Sequence, residues 1–152
     1  MNLILLDAEL RRDEGVRYSP YLDTKGISTV GVGHNLQAVP LPAGWTYPLT
    51  DDQVNSLLNH DLDTTFAGLD LHHPWWTTMD EVRQRVLANM AFNLGETRLD
   101  GFVNTLRAMQ TGDYLGAAAG MSASAWAAQV GDRATRLISA MQTGVMPDEP
   151  TS

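Results

Sequence analysis

Apolar residues recur at helical spacing along most of the chain. Leu3, Leu6 and Leu10 fall three and four positions apart, Glu14 continues the same stripe four positions on, and Gly15 supplies a stop. After Gly15 the pattern changes. Tyr21 and Leu22, a turn-like Asp23-Thr24-Lys25-Gly26 and β-branched alternation from Ile27 to Val32 predict a hairpin. Alternation puts Ile27, Thr29 and Gly31 on one face and Ser28, Val30 and Val32 on the other. Pro40, Pro42, Pro48 and Gly44 make an irregular connector, which Trp45 and Tyr47 are expected to pin down.

Thr50-Asp51-Asp52-Gln53 has the form of a capping box, and Val54, Leu57, Leu58, Leu62, Phe66 and Leu69 carry a helical stripe to about residue 70. Asp61 falls inside that stripe and Asp63 outside it. A carboxylate on an apolar face needs a partner, and His34 is the best candidate. Thr78 to Glu81 reads as a second capping box. It opens an almost wholly apolar helix with Met79, Val82, Val86, Leu87, Met90 and Leu94 inward, expected to be central. Three shorter helices are predicted near 100–111, 113–124 and 132–143, started by Asp100, Asp113 and Asp132, with Gly112 and Gly144 as stops and Trp126 between the last two. The end, VMPDEPTS, is polar and is expected to fray. The fold class is therefore α+β, mainly α, in one unit of 152 residues.

Composition narrows the possible chemistry. Absence of cysteine removes disulfides and thiol nucleophiles. A net charge of -8 argues against a nucleic-acid partner. The opening MNLILLDAELRR has four consecutive apolar residues, too few for a signal core or a membrane span, so synthesis as a soluble protein without membrane insertion is expected. Gly31 and Gly33 lack the third glycine of a dinucleotide loop, since residue 36 is Leu. His72-His73-Pro74-Trp75-Trp76 has no third metal ligand at a suitable following spacing; the tryptophans read as packing residues, and neither a metal nor a cofactor is expected.

The candidate chemistry lies in Glu14, Asp23 and Thr29, spaced E-x8-D-x5-T. Glycosidic bond cleavage needs two carboxylates in different environments, one protonated and one ionised at the same pH. An acid on an apolar stripe at a helix C-terminus favours its protonated form, which suits a general acid.

The run RRDEGVRYSPYLDTKGISTVGVGHNL combines D-E-G, Y-x-D-T-x-G and T-x-G-x-G-H, and it resembles the active-site region of T-even phage lysozymes, glycoside hydrolase family 24. LLNHDLD resembles the start of that family's long lobe-connecting helix, ANMAFNLGET its central helix, and GFVNTLR and DRATRLIS later helices, so the likeness reaches about Gly144. It implies a single two-lobed lysozyme domain over residues 1–152: a β-containing lobe at about 15–60, a helical lobe from about 1–14 and 70–144, and a tail at 145–152.

The resemblance further implies a monomeric endolysin that hydrolyses the β-1,4 bond between N-acetylmuramic acid and N-acetylglucosamine of peptidoglycan, with inversion. Glu14 would be the general acid, Asp23 the second carboxylate and Thr29 the hydroxyl holding the attacking water. Asn35, Phe92 and Thr105 match sugar-contacting positions, His34 and Asp61 a structural ion pair, and Arg133 a base facing the catalytic Glu; Gly120 replaces an amide side chain. The protein would be made in the host cytoplasm and reach the periplasmic face of the wall through a holin lesion. Non-catalytic glycan binding and lytic transglycosylation are the alternatives. Positive potential near Arg11, Arg12, Arg17 and Arg133 is expected to offset the acidity at the cleft, with the five acids and no bases of residues 50–70 facing away.

Overall fold

Asn2 opens the first helix, α1 (Leu3–Glu14), by accepting the Leu5 N–H, and Gly15 closes it at a φ of 74°. The computed structural model describes residues 1–150. Leu6 and Leu10 of α1 are fully buried, but Leu3 is 55% exposed, and the third buried position is Glu9. Arg85 makes that burial possible by contacting the Glu9 carboxylate directly.

The predicted hairpin forms as β1 (Arg17–Leu22) and β2 (Ser28–Gly31), and a short β3 (His34–Asn35) extends it into a three-stranded antiparallel sheet in the order β1-β2-β3. Tyr21 pairs with Thr29 and Thr29 with Asn35, so these three side chains form one row on one face. Val30 pairs with His34 in the row behind, and both are buried.

The back of the sheet packs on α2 (Asp51–His72), whose capping box forms in full between Thr50 and Gln53. Its N-terminal half carries Val54 and Leu57 under Gly31. Its C-terminal half carries Phe66, stacked on Trp76 with ring centroids 5.8 Å apart, while the Trp76 indole donates to Asp70. The connector before α2 is held by buried Leu49 and partly buried Trp45; Tyr47 is 44% exposed and does not pin it.

Residues Pro74–Thr78 form a 3-10 turn, in which the Thr78 hydroxyl donates back to the Trp75 carbonyl. Thr78 is thereby diverted from capping, and Asp80 caps α3 (Glu81–Leu94) instead. Residues 85–91 of α3 are buried on every side, which makes it the central helix. Among the described residues five helices rather than three follow: α4 (Glu96–Asp100), α5 (Val103–Thr111), α6 (Tyr114–Ser122), α7 (Ala125–Val130) and α8 (Asp132–Thr143). Asp113 caps α6 as expected, whereas Asp100 ends α4 and Trp126 lies within α7, edge-on to Phe102. Gly112 and Gly144 close their helices in the left-handed conformation.

The segment expected to fray is docked: Met146 is buried, the Asp148 carbonyl accepts from Arg12, and Glu149 pairs with Arg85. Thr151 and Ser152 lie outside the described residues. No helix among the described residues is long and apolar enough to cross a membrane.

Candidate active site

The front row of the sheet, the tip of α1 and the end of α3 enclose a cleft of about 730 Å³ whose lining includes Glu14, Tyr21, Asp23, Thr29, Asn35 and Phe92. Register decides this, because slipping β2 by one residue would turn Val30 into the cleft and bury Thr29 behind the sheet.

Asp23 is fixed by its own turn. Its Oδ1 accepts the Lys25 and Ile27 N–H groups, each at 2.8 Å, so the carboxylate is oriented by the backbone before any ligand arrives. Oδ2 has no protein partner among the described residues. The Thr29 hydroxyl donates to the Ile27 carbonyl at 2.8 Å, which leaves its lone pairs free to accept. Burial first, then the Glu14 and Asp23 carboxylates, push the Tyr21 phenol above its usual range, while Arg17 opposes them from 5.0 Å over the ring. Both acids therefore bear on one side chain in the cleft wall.

Glu14 is held from behind. Arg133 Nη1 donates to Glu14 Oε1 at 2.7 Å, and Arg133 Nε donates to Asn89 Oδ1 at 2.8 Å. Asn89 in turn donates to Asp13, which also receives Arg136. Burial works against ionisation of Asp13, but the Asn89 hydrogen bond and the charges of Arg133, Arg136 and Arg12 outweigh it and hold that carboxyl below its usual range. Gly33 lies against the Glu14 carboxylate, and a Cβ there would stand 2.8 Å from Oε2. Glycine at a φ of +65° thus provides both the turn and the space.

His34 stands behind the sheet with Nδ1 2.7 Å from Asp61 Oδ2 and Nε2 2.8 Å from the Val39 carbonyl. Two acceptors face the two ring nitrogens, an arrangement that favours the doubly protonated, cationic ring. The Asp61 hydrogen bond accordingly raises the His34 pKa, against burial. This pair fastens β3 to α2.

Residues 11–140 match the family model described as phage lysozyme. The chain belongs to the phage lysozyme family. It is thereby placed among the glycoside hydrolases. Probable T4-type lysozyme 2 of Dictyostelium discoideum is 24% identical over 91% of this chain and 94% of its own length. The pre-baseplate central spike protein Gp5 of Enterobacteria phage T4 is 30% identical over 89% of this chain, which spans 27% of that protein. Peptidoglycan hydrolase gp36 of Pseudomonas phage phiKMV is 34% identical over 88% of the chain, which spans 14% of that protein.

The lysozyme cleft brings together Glu14, Asp23, Thr29, Asn35 and Phe92, and places His34, Asp61 and Arg133 behind them. Thr105 does not join them. It is buried where α5 meets α6, and a side chain at position 120 would collide with its hydroxyl, so it occupies the space Gly120 leaves. Asn93, Trp126 and Gln129 also line the cleft; the sequence pattern places Trp126 only between two helices and marks neither Asn93 nor Gln129. Asn93 follows Phe92 directly, and its Oδ1 accepts the Trp126 indole N–H at 2.9 Å. Of the four arginines expected to set the local potential, only Arg17 lines the cleft. Arg11, Arg12 and Arg133 pair with Asp7, Asp13 and Glu14. Lys25 and Arg98 are the other cleft-lining cations.

Proposed function

We propose that this lysozyme cleaves the β-1,4 bond between N-acetylmuramic acid and N-acetylglucosamine of bacterial peptidoglycan, by single displacement with inversion. The observation that carries the reading is the convergence of an arginine-backed Glu14 and a turn-locked Asp23 with Thr29 on one cleft. Glu14 delivers its proton to the leaving oxygen from Oε2, since Oε1 is engaged by Arg133. Asp23 accepts a proton from water through Oδ2, and the Thr29 lone pairs hold that water in line with the anomeric carbon. Inversion requires about 6.5–9.5 Å between the two carboxyl groups to seat the water.

Asn35 and Phe92 contact sugar in this scheme, and Lys25 and Arg98 answer the anionic character of the wall polymer. Peptidoglycan as substrate is supported by the phiKMV relative, a peptidoglycan hydrolase. The physiological setting that follows is host lysis by a monomeric enzyme reaching the wall from inside the cell through a holin lesion. Glu14→Gln keeps the shape of the side chain and removes the acid, so wall clearing should fall by about 10²–10⁴-fold. Clearing near the wild-type rate would overturn the assignment. Wall binding without clearing by the wild-type protein would favour a non-catalytic scaffold, and anhydro product ends a transglycosylase.

A further inference from the structure

Helix α2 ends in His72 and His73, and the turn from α3 into α4 brings two carboxylates against them. His72 Nε2 lies 2.6 Å from Glu96 Oε1, and His72 Nδ1 lies 2.7 Å from Asp100 Oδ2. His73 Nε2 lies 2.6 Å from the other oxygen of Asp100. One ligand atom each from His72, Glu96 and Asp100 fall within 4.8 Å of one another. Gly68, one turn earlier on α2, opens the helix surface to this cluster: a Cβ there would stand 3.4 Å from Glu96 Oε2. No third ligand follows the histidine pair at metal-binding spacing along the chain, but the fold supplies it across two helices.

We propose that His72, Glu96 and Asp100 form a binding site for a divalent first-row cation, zinc foremost, with His73 orienting Asp100 from outside the ligand set. One imidazole nitrogen and two carboxylate oxygens suit zinc and leave a fourth position to water. Ligands around a tetrahedral zinc ion stand about 3.3 Å apart, given bonds of roughly 2.0–2.1 Å. Glu96 and Asp100 now contact opposite nitrogens of the His72 ring, so an ion on one nitrogen requires the ring and the other carboxylate to turn, closing a separation of up to 4.8 Å to about 3.3 Å. His72 and Glu96 are more than a third exposed and can make that adjustment. Asp100 is the more constrained ligand, and the bond from His73 to its second oxygen gives it the outer support that metal-binding carboxylates use.

The site is separate from the cleft. Gly95 and Arg98, neighbours of Glu96 in the α4 segment, line the cleft wall, while Glu96 and Asp100 face α2. A bound cation would tie the end of the long helix to that wall segment, raising stability and leaving Glu14, Asp23 and Thr29 untouched.

The test titrates chelator-treated full-length protein with zinc chloride by calorimetry, with melting temperature followed in parallel. The expected result is uptake of one equivalent with a rise in melting temperature, and no response to magnesium. His72→Gln and Asp100→Asn should each weaken uptake by roughly tenfold or more, and His73→Gln by a smaller factor. Melting without zinc is measured for every variant, so the zinc-dependent difference is read apart from loss of the hydrogen-bonded latch. Absence of both heat and melting shift in the wild-type protein would overturn the proposal. So would uptake that His72→Gln and Asp100→Asn leave unchanged, since the ion would then sit elsewhere.

Discussion

Asp61→Asn removes one charge from the pair that fastens the sheet to α2, and its cost should depend on pH. His34 is buried with an acceptor at each ring nitrogen, and Asp61 is the carboxylate that balances its charge when the ring is protonated. Removing one partner of a buried pair costs about 3–5 kcal/mol. The lower end applies, because the Asp61 side chain is 20% exposed and an amide oxygen can still accept from Nδ1. At roughly 2–4 °C per kcal/mol for a chain of this size, 3 kcal/mol lowers the melting temperature by roughly 6–12 °C.

The sign with pH follows from the raised His34 pKa. A histidine with a raised folded pKa stabilises fully below its unfolded value of about 6.5, and that contribution is lost as pH rises through the folded pKa. The gap between wild type and Asp61→Asn should therefore be widest below about pH 6.5 and narrow as pH rises through the raised folded pKa of His34. Calorimetric melts of both proteins across this range provide the check. A gap that is constant with pH, or one below about 1 kcal/mol throughout, would refute a charged His34 held by Asp61.

Asp23→Asn keeps an acceptor at Oδ1 for the Lys25 and Ile27 N–H groups, so it should abolish clearing with little change in melting, whereas Asp23→Ala should lower both; equal melting for the two would contradict the turn-locking role. Gly33→Ala should displace the Glu14 carboxylate and force an alanine to positive φ, costing about 1–2 kcal/mol and depressing kcat, and wild-type kcat would show that the carboxylate is not confined there. Burial, followed by sharing of a hydrogen bond with Glu149, pushes the Glu9 carboxyl up to about 8 against the pull of Arg85. A raised carboxyl pKa means that the folded state binds the extra proton, so stability falls as pH rises from about 4.5 towards 8, and Glu9→Gln should flatten that part of the melting profile; an unchanged slope would contradict it.

Local patterns carried much of the fold. The capping box at Thr50 and the alternation that sends Thr29 forward and Val30 back depend on residues close in sequence, and both formed as read. The His34–Asp61 pair was legible because an acid on an apolar helix face demands a cation, and a histidine followed the hairpin. Features set by distant partners were not legible. Glu9 looks like a solvent-facing helix residue until Arg85, 76 positions on, is brought against it. Asn93 and Trp126 meet across 33 positions, and His72 meets Asp100 across 28, through helix packing that no local period encodes. The phase of α5 was likewise hidden, and Thr105 turned inward toward α6 rather than to the cleft.

Mass analysis of muropeptides released by wild type and by Glu14→Gln tests the central claim most directly. The account predicts fragments ending in reducing N-acetylmuramic acid from the wild type and none at a comparable rate from the variant. Anhydro ends, cleavage at the other glycosidic bond, or undiminished release by Glu14→Gln would contradict it.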